Sequence, residues 1–448
     1  MVSYKLDDYP QILNTRHIVH HDGAPVLFEH QRDLYVYFGG FRDYPWDPIK
    51  MFAESSGVYG FFLKRGTTFS HPTHIIENSI IMDPSNRRYP LQILRPLAFE
   101  NGSEFDHLHH IVFVFKWKNQ IYALTQVEDS FNNGEWNYIK YPVNTPVYGL
   151  GAMIKAEDNN PLKFERLYTT YQEGMLVSEQ VWNTYVPQGG TPILMHWQTK
   201  EQIMSDSIIL DGEVRTAKQP PGNIRGVAVS SGVIIGDYLY IFYTRLPDLR
   251  NHFYRTKYKE WYGYSPYPTV ISKPDPDDPD LVKKLLTSYL CGSMCVARMN
   301  LNDLSHPDYK NRGVRVYKYF NGSFSQPGIG GYDTAILPNP GSYAHVIFNT
   351  YLNRFVMASQ YDQDGIQTLQ LFVSKIEGKC ESALTSWESL GECRMVRPYA
   401  RYPRLVNADG ESDQYMDKSG WLYYVIKVPG IKGEEKPRLA RRTIEFNK

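Results

Sequence analysis

Neither charge is in excess in this 448-residue sequence: Lys and Arg number 48, Asp and Glu number 48, and the net charge is +0. That balance removes the basic surplus that phosphate backbones attract, so nucleic acid is not an expected partner. No run of about 18 apolar residues occurs, so no membrane span is expected. Cysteines number only 4. Cys291 and Cys295, like Cys380 and Cys393, lack the second Cys or His pair of a zinc site, so no metal centre is expected from them. Free thiols are the first reading, and a Cys380–Cys393 bridge across a hairpin is the alternative. The stretch 1–14 has no basic segment leading into an apolar one, so no signal peptide is read there. A removed leader would leave the same stretch, so the compartment stays open between cytoplasmic and secreted or periplasmic. Long runs of Ala, Leu, Glu and Lys, the helix formers, are missing too.

What is abundant is aromatic and turn-forming: 35 Tyr, 21 Phe, 33 Gly and 29 Pro, within 42% hydrophobic residues overall. The hydrophobic share is enough for a core. Strand formers set among turn formers point to an all-β protein.

One pattern recurs five times. A turn residue opens a run of alternating aromatic and aliphatic residues at Asp33–Gly40, Asn119–Gln126, Asp237–Thr244, Asn353–Gln360 and Gly420–Lys427. A short apolar strand precedes each, at Ala24–Phe28, His110–Phe115, Val227–Ser231, Ala344–Phe348 and Arg404–Val406. A third strand follows each, and a fourth follows in three units, at Phe164–Tyr168, Val314–Lys318 and Ser386–Leu390. Four strands repeated five times is the layout of a five-bladed β-propeller, with four-stranded blades around a central channel. A single domain over 1–448 is expected, with a loop insertion at about 245–290. The last unit lacks a fourth strand, which Tyr4–Leu13 could supply to close the ring. Lys273–Asp280, rich in Pro and Asp, reads as a solvated loop; a structural or channel calcium ion is conceivable, and no other cofactor is expected.

In such a ring, chemistry collects where the inner strands begin. Asp22, Asp106 and Asp333 stand at or just before inner strands, and Glu411 lies just beyond the last. Convergent carboxylates suit acid–base work on a glycosidic bond. His107, Arg225, His345 and Arg404 are candidate polar contacts to a carbohydrate substrate. Trp46 and Tyr332 are candidate aromatic ones, because sugar rings offer C–H faces to aromatic side chains. The histidines His107 and His109 could instead serve a polysaccharide lyase, with Tyr as acid and Arg neutralising a uronate. A non-catalytic glycan-binding propeller is the third reading.

The fourth unit carries the resemblance. Gly330–Pro338, Ala344–Ala358, Leu371–Lys375 and Ser386–Trp387 resemble the blade grammar of five-bladed propeller carbohydrate enzymes, the glycoside hydrolase families 32, 43, 62 and 117 among them. No single family is assignable, because the Asn-Asp-Pro-Asn and Arg-Asp-Pro motifs are missing. The resemblance implies a glycoside hydrolase with Asp22 as base or nucleophile, Asp106 tuning its pKa, and Asp333 or Glu411 as acid. The third unit's inner strand offers no Glu for that last place.

Overall fold

The computed structural model describes residues 2–12, 20–21, 25–41, 56–63, 92–94, 106–130, 150–166, 208–210, 224–247, 294–305, 316–327, 334–337, 342–363, 366–393, 400–429 and 435–448. They form an all-β protein whose helical content is three short 3-10 turns among the described residues. All five expected runs are strands: Asp33–Phe41, Gln120–Ser130, Tyr238–Pro247, Arg354–Gln363 and Ser419–Pro429. The first four are entered from tight turns, and the fifth from the stretch 408–418 that carries the strand Tyr415–Met416. Gln31 and Arg32 both have left-handed φ, 53° and 69°, the twist that a two-residue hairpin needs.

Strand pairing gives five sheets, antiparallel throughout except where Ser342–Asn349 pairs in parallel with Tyr415–Met416. Their inner strands are Val26–His30, Asp106–Trp117, Ile224–Ile235, Ser342–Asn349 and Ala400–Asn407, each hydrogen-bonded to the run that follows it. The sheets stand as blades in a propeller ring about a common axis. Four blades are counted around it among the described residues, one fewer than the repeat leads one to expect. The third sheet adds an outer hairpin strand, Ser323–Pro327, and the fourth takes on its inner side the two-residue strand Tyr415–Met416 from the fifth unit. The outer strand of the fifth sheet is Ser3–Leu6, paired with Glu435–Asn447. The N-terminal stretch thus completes the last sheet.

The alternation of the second strands explains the packing. Along Tyr238–Pro247, Leu239, Ile241 and Tyr243 face the second sheet, while Tyr240 and Phe242 face the fourth. A strand covered on both faces is apolar at every position, and the alternation between aromatic and aliphatic residues sorts them to two cores. Four such cores lie between successive sheets, first to fifth. Cys295, Cys380 and Cys393 are free thiols, so the hairpin bridge does not form. The Cys393 thiol is buried and pushed up to about 12.

Candidate active site

The inner strands of four sheets share one irregularity. Each carries an extra residue at a matching point, between Ile111 and Phe113, Val229 and Ser231, Ser342 and His345, and Arg401 and Arg404, and the third carries another between Ile224 and Val227. A bulge bends the strand and releases peptide groups from the ladder. The far edge of an inner strand faces the axis, so apart from the short pairing of Phe348–Asn349 with Tyr415–Met416 its N–H and C=O groups need partners other than a strand.

In the third, fourth and fifth sheets the residue just after the bulge makes such bonds. The hydroxyl of Ser231 accepts the N–H of Val346 from the next sheet at 3.2 Å. Nδ1 of His345 accepts the N–H of Leu405, one sheet further, at 3.0 Å. Arg404 donates to the carbonyl of Val112 at 3.1 Å and to Oδ2 of Asp413 at 2.8 Å. Asp413 in turn accepts the N–H of Leu27 at 3.1 Å, tying the fifth sheet to the first. Gln414 donates to the carbonyl of Val114 at 3.2 Å. These bonds link the third sheet to the fourth, the fourth to the fifth, and the fifth to both the first and the second.

The electrostatics follow from burial. Arg404 and Asp413 are 5% and 2% exposed. Desolvation raises the Asp413 carboxyl above its usual range, while the Arg404 guanidinium and the Leu27 N–H pull it down. Burial, and then the charge of Arg404, hold His345 well below its usual range, against a hydrogen bond that its ring donates to the Asp413 backbone. A neutral His345 is what the geometry requires, since a protonated Nδ1 could not accept from Leu405.

The structure therefore puts two expected substrate contacts, His345 and Arg404, inside the joints of the ring, with their polar atoms turned to backbone and to Asp413. Glu411 sits in the turn after Ala400–Asn407, its N–H bonded to Oδ1 of Asn407 at 2.9 Å. It is exposed, and partial burial, Asp409 and Glu29 raise its carboxyl above the usual range. Eight strand residues at about 3.3 Å each put Glu411 more than 20 Å from the end where the inner strands begin. Asp106 opens its inner strand, and Arg225 is second in its own. The backbones of Asp106, His107 and Arg225 are described and their side chains are not. Asp22, Trp46, Tyr332 and Asp333 lie outside the described residues, as does 273–280. No cluster of three or more metal-ligating side chains is found among the described residues.

Toward the strand starts, the second strands carry buried polar residues at matching positions: Gln126, Thr244 and Gln360. Each stands two residues after the partner of the residue that follows the bulge. Oε1 of Gln360 accepts the N–H of Tyr402 at 3.4 Å. Tyr402 and Tyr343, at the bulges of the fifth and fourth sheets, meet edge to face with ring centroids 4.8 Å apart. Both tyrosines have left-handed φ. The sequence contains all these residues, but a bulge has no sequence pattern of its own that would set them apart.

No protein-family profile matches this sequence, and no curated protein matches it. Solved structures with a similar overall course do exist. The catalytic domain of a Coprinopsis cinerea GH62 alpha-L-arabinofuranosidase has 10% identity, with 99% of this chain and 97% of that one covered, at a TM-score of 0.44. The GH43_1 enzyme from Xanthomonas citri, complexed with xylotriose, has 11% identity over 95% and 92% of the chains, at 0.37. An exo-1,5-alpha-L-arabinanase from a bovine ruminal metagenomic library has 10% identity over 95% and 93%, at 0.36. At such scores the likeness carries nothing about this chain's chemistry.

Proposed function

We propose that the chain is a glycoside hydrolase that works at the end of the ring where the inner strands begin. The observation that carries this reading is the placement of Asp106, Arg225 and Arg401 within the first two residues of their inner strands. An Asp and two Arg at the starts of inner strands are residue types that suit a hydroxyl-rich substrate. Asp22 and Asp333 precede inner strands in the same way in the sequence. Asp22 is the base or nucleophile in this reading, Asp106 tunes its pKa, and Asp333 is the acid. Glu411 is set aside as acid because glycosidase carboxylates work about 5–10 Å apart, and it stands at the opposite end of its blade.

The test is a glycan screen with product analysis on the wild type and on Asp22→Ala, Asp106→Ala and Asp333→Ala. New reducing ends without unsaturated-uronate absorbance, lost in folded variants, are the expected result. Products carrying that absorbance would make the protein a lyase. Binding without turnover would make it a glycan-binding propeller. Full activity in all three variants would return these aspartates to the role of turn caps.

A further inference from the structure

Two of the inner-strand bulges hold a tyrosine in a backbone conformation that tyrosine seldom takes. φ is 52° at Tyr343 and 54° at Tyr402. A side chain with a Cβ is strained there, and glycine would take the same turn freely. The bulge itself does not demand it: Val112 and Ser230, at the corresponding bulges of the second and third sheets, are not among the left-handed residues. Strained residues of this kind gather at ligand sites, where the surrounding structure holds them in place.

Three further observations point the same way. The two rings are half-buried and meet at an interplanar angle of 73°, so each leaves part of its surface uncovered. They stand at the starts of neighbouring inner strands, Tyr402 on an edge strand and Tyr343 clear of the Phe348–Asn349 stretch that pairs with Tyr415–Met416. Behind them, the side chain of Gln360 is fully buried, and its Nε2 has no hydrogen-bond partner among the described residues. That amide is oriented so that Oε1 meets Tyr402 N–H, at the cost of its own donor.

We propose that Tyr343 and Tyr402 form a platform on which one sugar ring of the substrate lies, with Gln360 as the positioning residue that holds the Tyr402 bulge. The platform rests on the reading of the protein as carbohydrate-acting. The C–H face of a pyranose or furanose ring covers the aromatic surface, while its rim hydroxyls face the polar strand starts around Asp106, Arg225 and Arg401.

The probe is an array of arabinan, xylan, mannan, galactan and pectin oligosaccharides, followed by Kd and turnover on the best-bound one. Tyr343→Gly and Tyr402→Gly remove the ring and also relieve the backbone strain. Each is expected to weaken binding about tenfold, the loss of one aromatic contact, while Tm holds or rises. Tyr402→Phe keeps the ring and should bind like the wild type. Gln360→Met should raise KM with kcat nearly unchanged, because it acts through Tyr402 and not on the reacting bond. Wild type that binds no oligosaccharide would overturn both the carbohydrate reading and the platform. Wild type that binds, with glycine variants of equal affinity, would overturn the platform alone. Glycine variants that lose Tm and affinity together would make the tyrosines packing residues and overturn it as well.

Discussion

Removing one member of the Arg404–Asp413 pair should cost far more than removing both, per residue changed. The two charges lie 2.8 Å apart with side chains 6% and 1% exposed, so water screens them little. Arg404→Met leaves the Asp413 carboxylate buried with backbone N–H groups, that of Leu27 among them, but no countercharge, and it frees the Val112 carbonyl. Asp413→Leu strands the guanidinium in turn. Breaking a buried pair from one side costs about 3–5 kcal/mol. Independent effects would therefore bring the double variant to about 6–10 kcal/mol. The double variant leaves no buried charge at the site. What it does leave is an unpaired Leu27 N–H and an unpaired Val112 carbonyl, each costing about 1–3 kcal/mol. It also removes two polar atoms, Nε of Arg404 and Oδ1 of Asp413, that have no partner among the described residues even in the wild type. A total of about 4 kcal/mol follows, and so does a coupling of several kcal/mol between the sites. Urea midpoints for the four proteins, compared at constant m, measure it. Additivity within about 0.5 kcal/mol would refute the argument, because it would mean that the two side chains do not share one electrostatic site.

Two other predictions concern the same ring. The folded pKa of His345 lies below its unfolded value near 6.5, so the stability it contributes is present above that pH. It is lost as pH falls below about 6.5 toward the folded pKa, at up to about 1.4 kcal/mol per pH unit. His345→Asn, whose Oδ1 can still accept from Leu405, should flatten the fall in Tm between pH 6.5 and 5; an unchanged slope would put the titrating group elsewhere. Gly420→Ala should destabilise strongly, since an added Cβ would stand 2.3 Å from the Val406 carbonyl oxygen and 2.7 Å from Cε of Met416. Overlap with backbone cannot be relieved by a rotamer change, so a loss of about 3 kcal/mol or more in urea is expected, and a midpoint equal to wild type would show that the two strands can part there.

The five second strands were legible because their signal is local. A turn residue followed by period-two alternation is written in eight consecutive positions, as in Asp237–Thr244, and the physics that makes it a strand acts over the same span. The closing strand Ser3–Leu6 was legible for a different reason: the last unit lacked an outer strand, and a sheet edge needs a partner. The site was only partly legible. Asp106 and Arg225 were expected just before strands starting at His110 and Val227, and those strands begin earlier, at Asp106 and Ile224, so that both residues lie within them.

The roles of His345, Arg404 and Glu411 were decided by tertiary structure. In the sequence, a His and an Arg near inner strands look like ligand contacts, and an acid near the same strand looks like a catalyst. Once the sheets close, His345 and Arg404 face backbone groups of other sheets, while Glu411 falls past the far end of its strand. The bonds that settle His345 and Arg404 join residues 60 and 292 positions apart. Such pairings depend on where a one-residue bulge falls and on how neighbouring sheets are offset, and both are set by the packing of the cores between them. Local composition determined that this chain makes strands and in what order; which polar groups those strands turn toward the axis, and which they consume in holding the ring together, follows only from closure, because an unpaired inner-strand edge takes whatever donor or acceptor the next sheet presents.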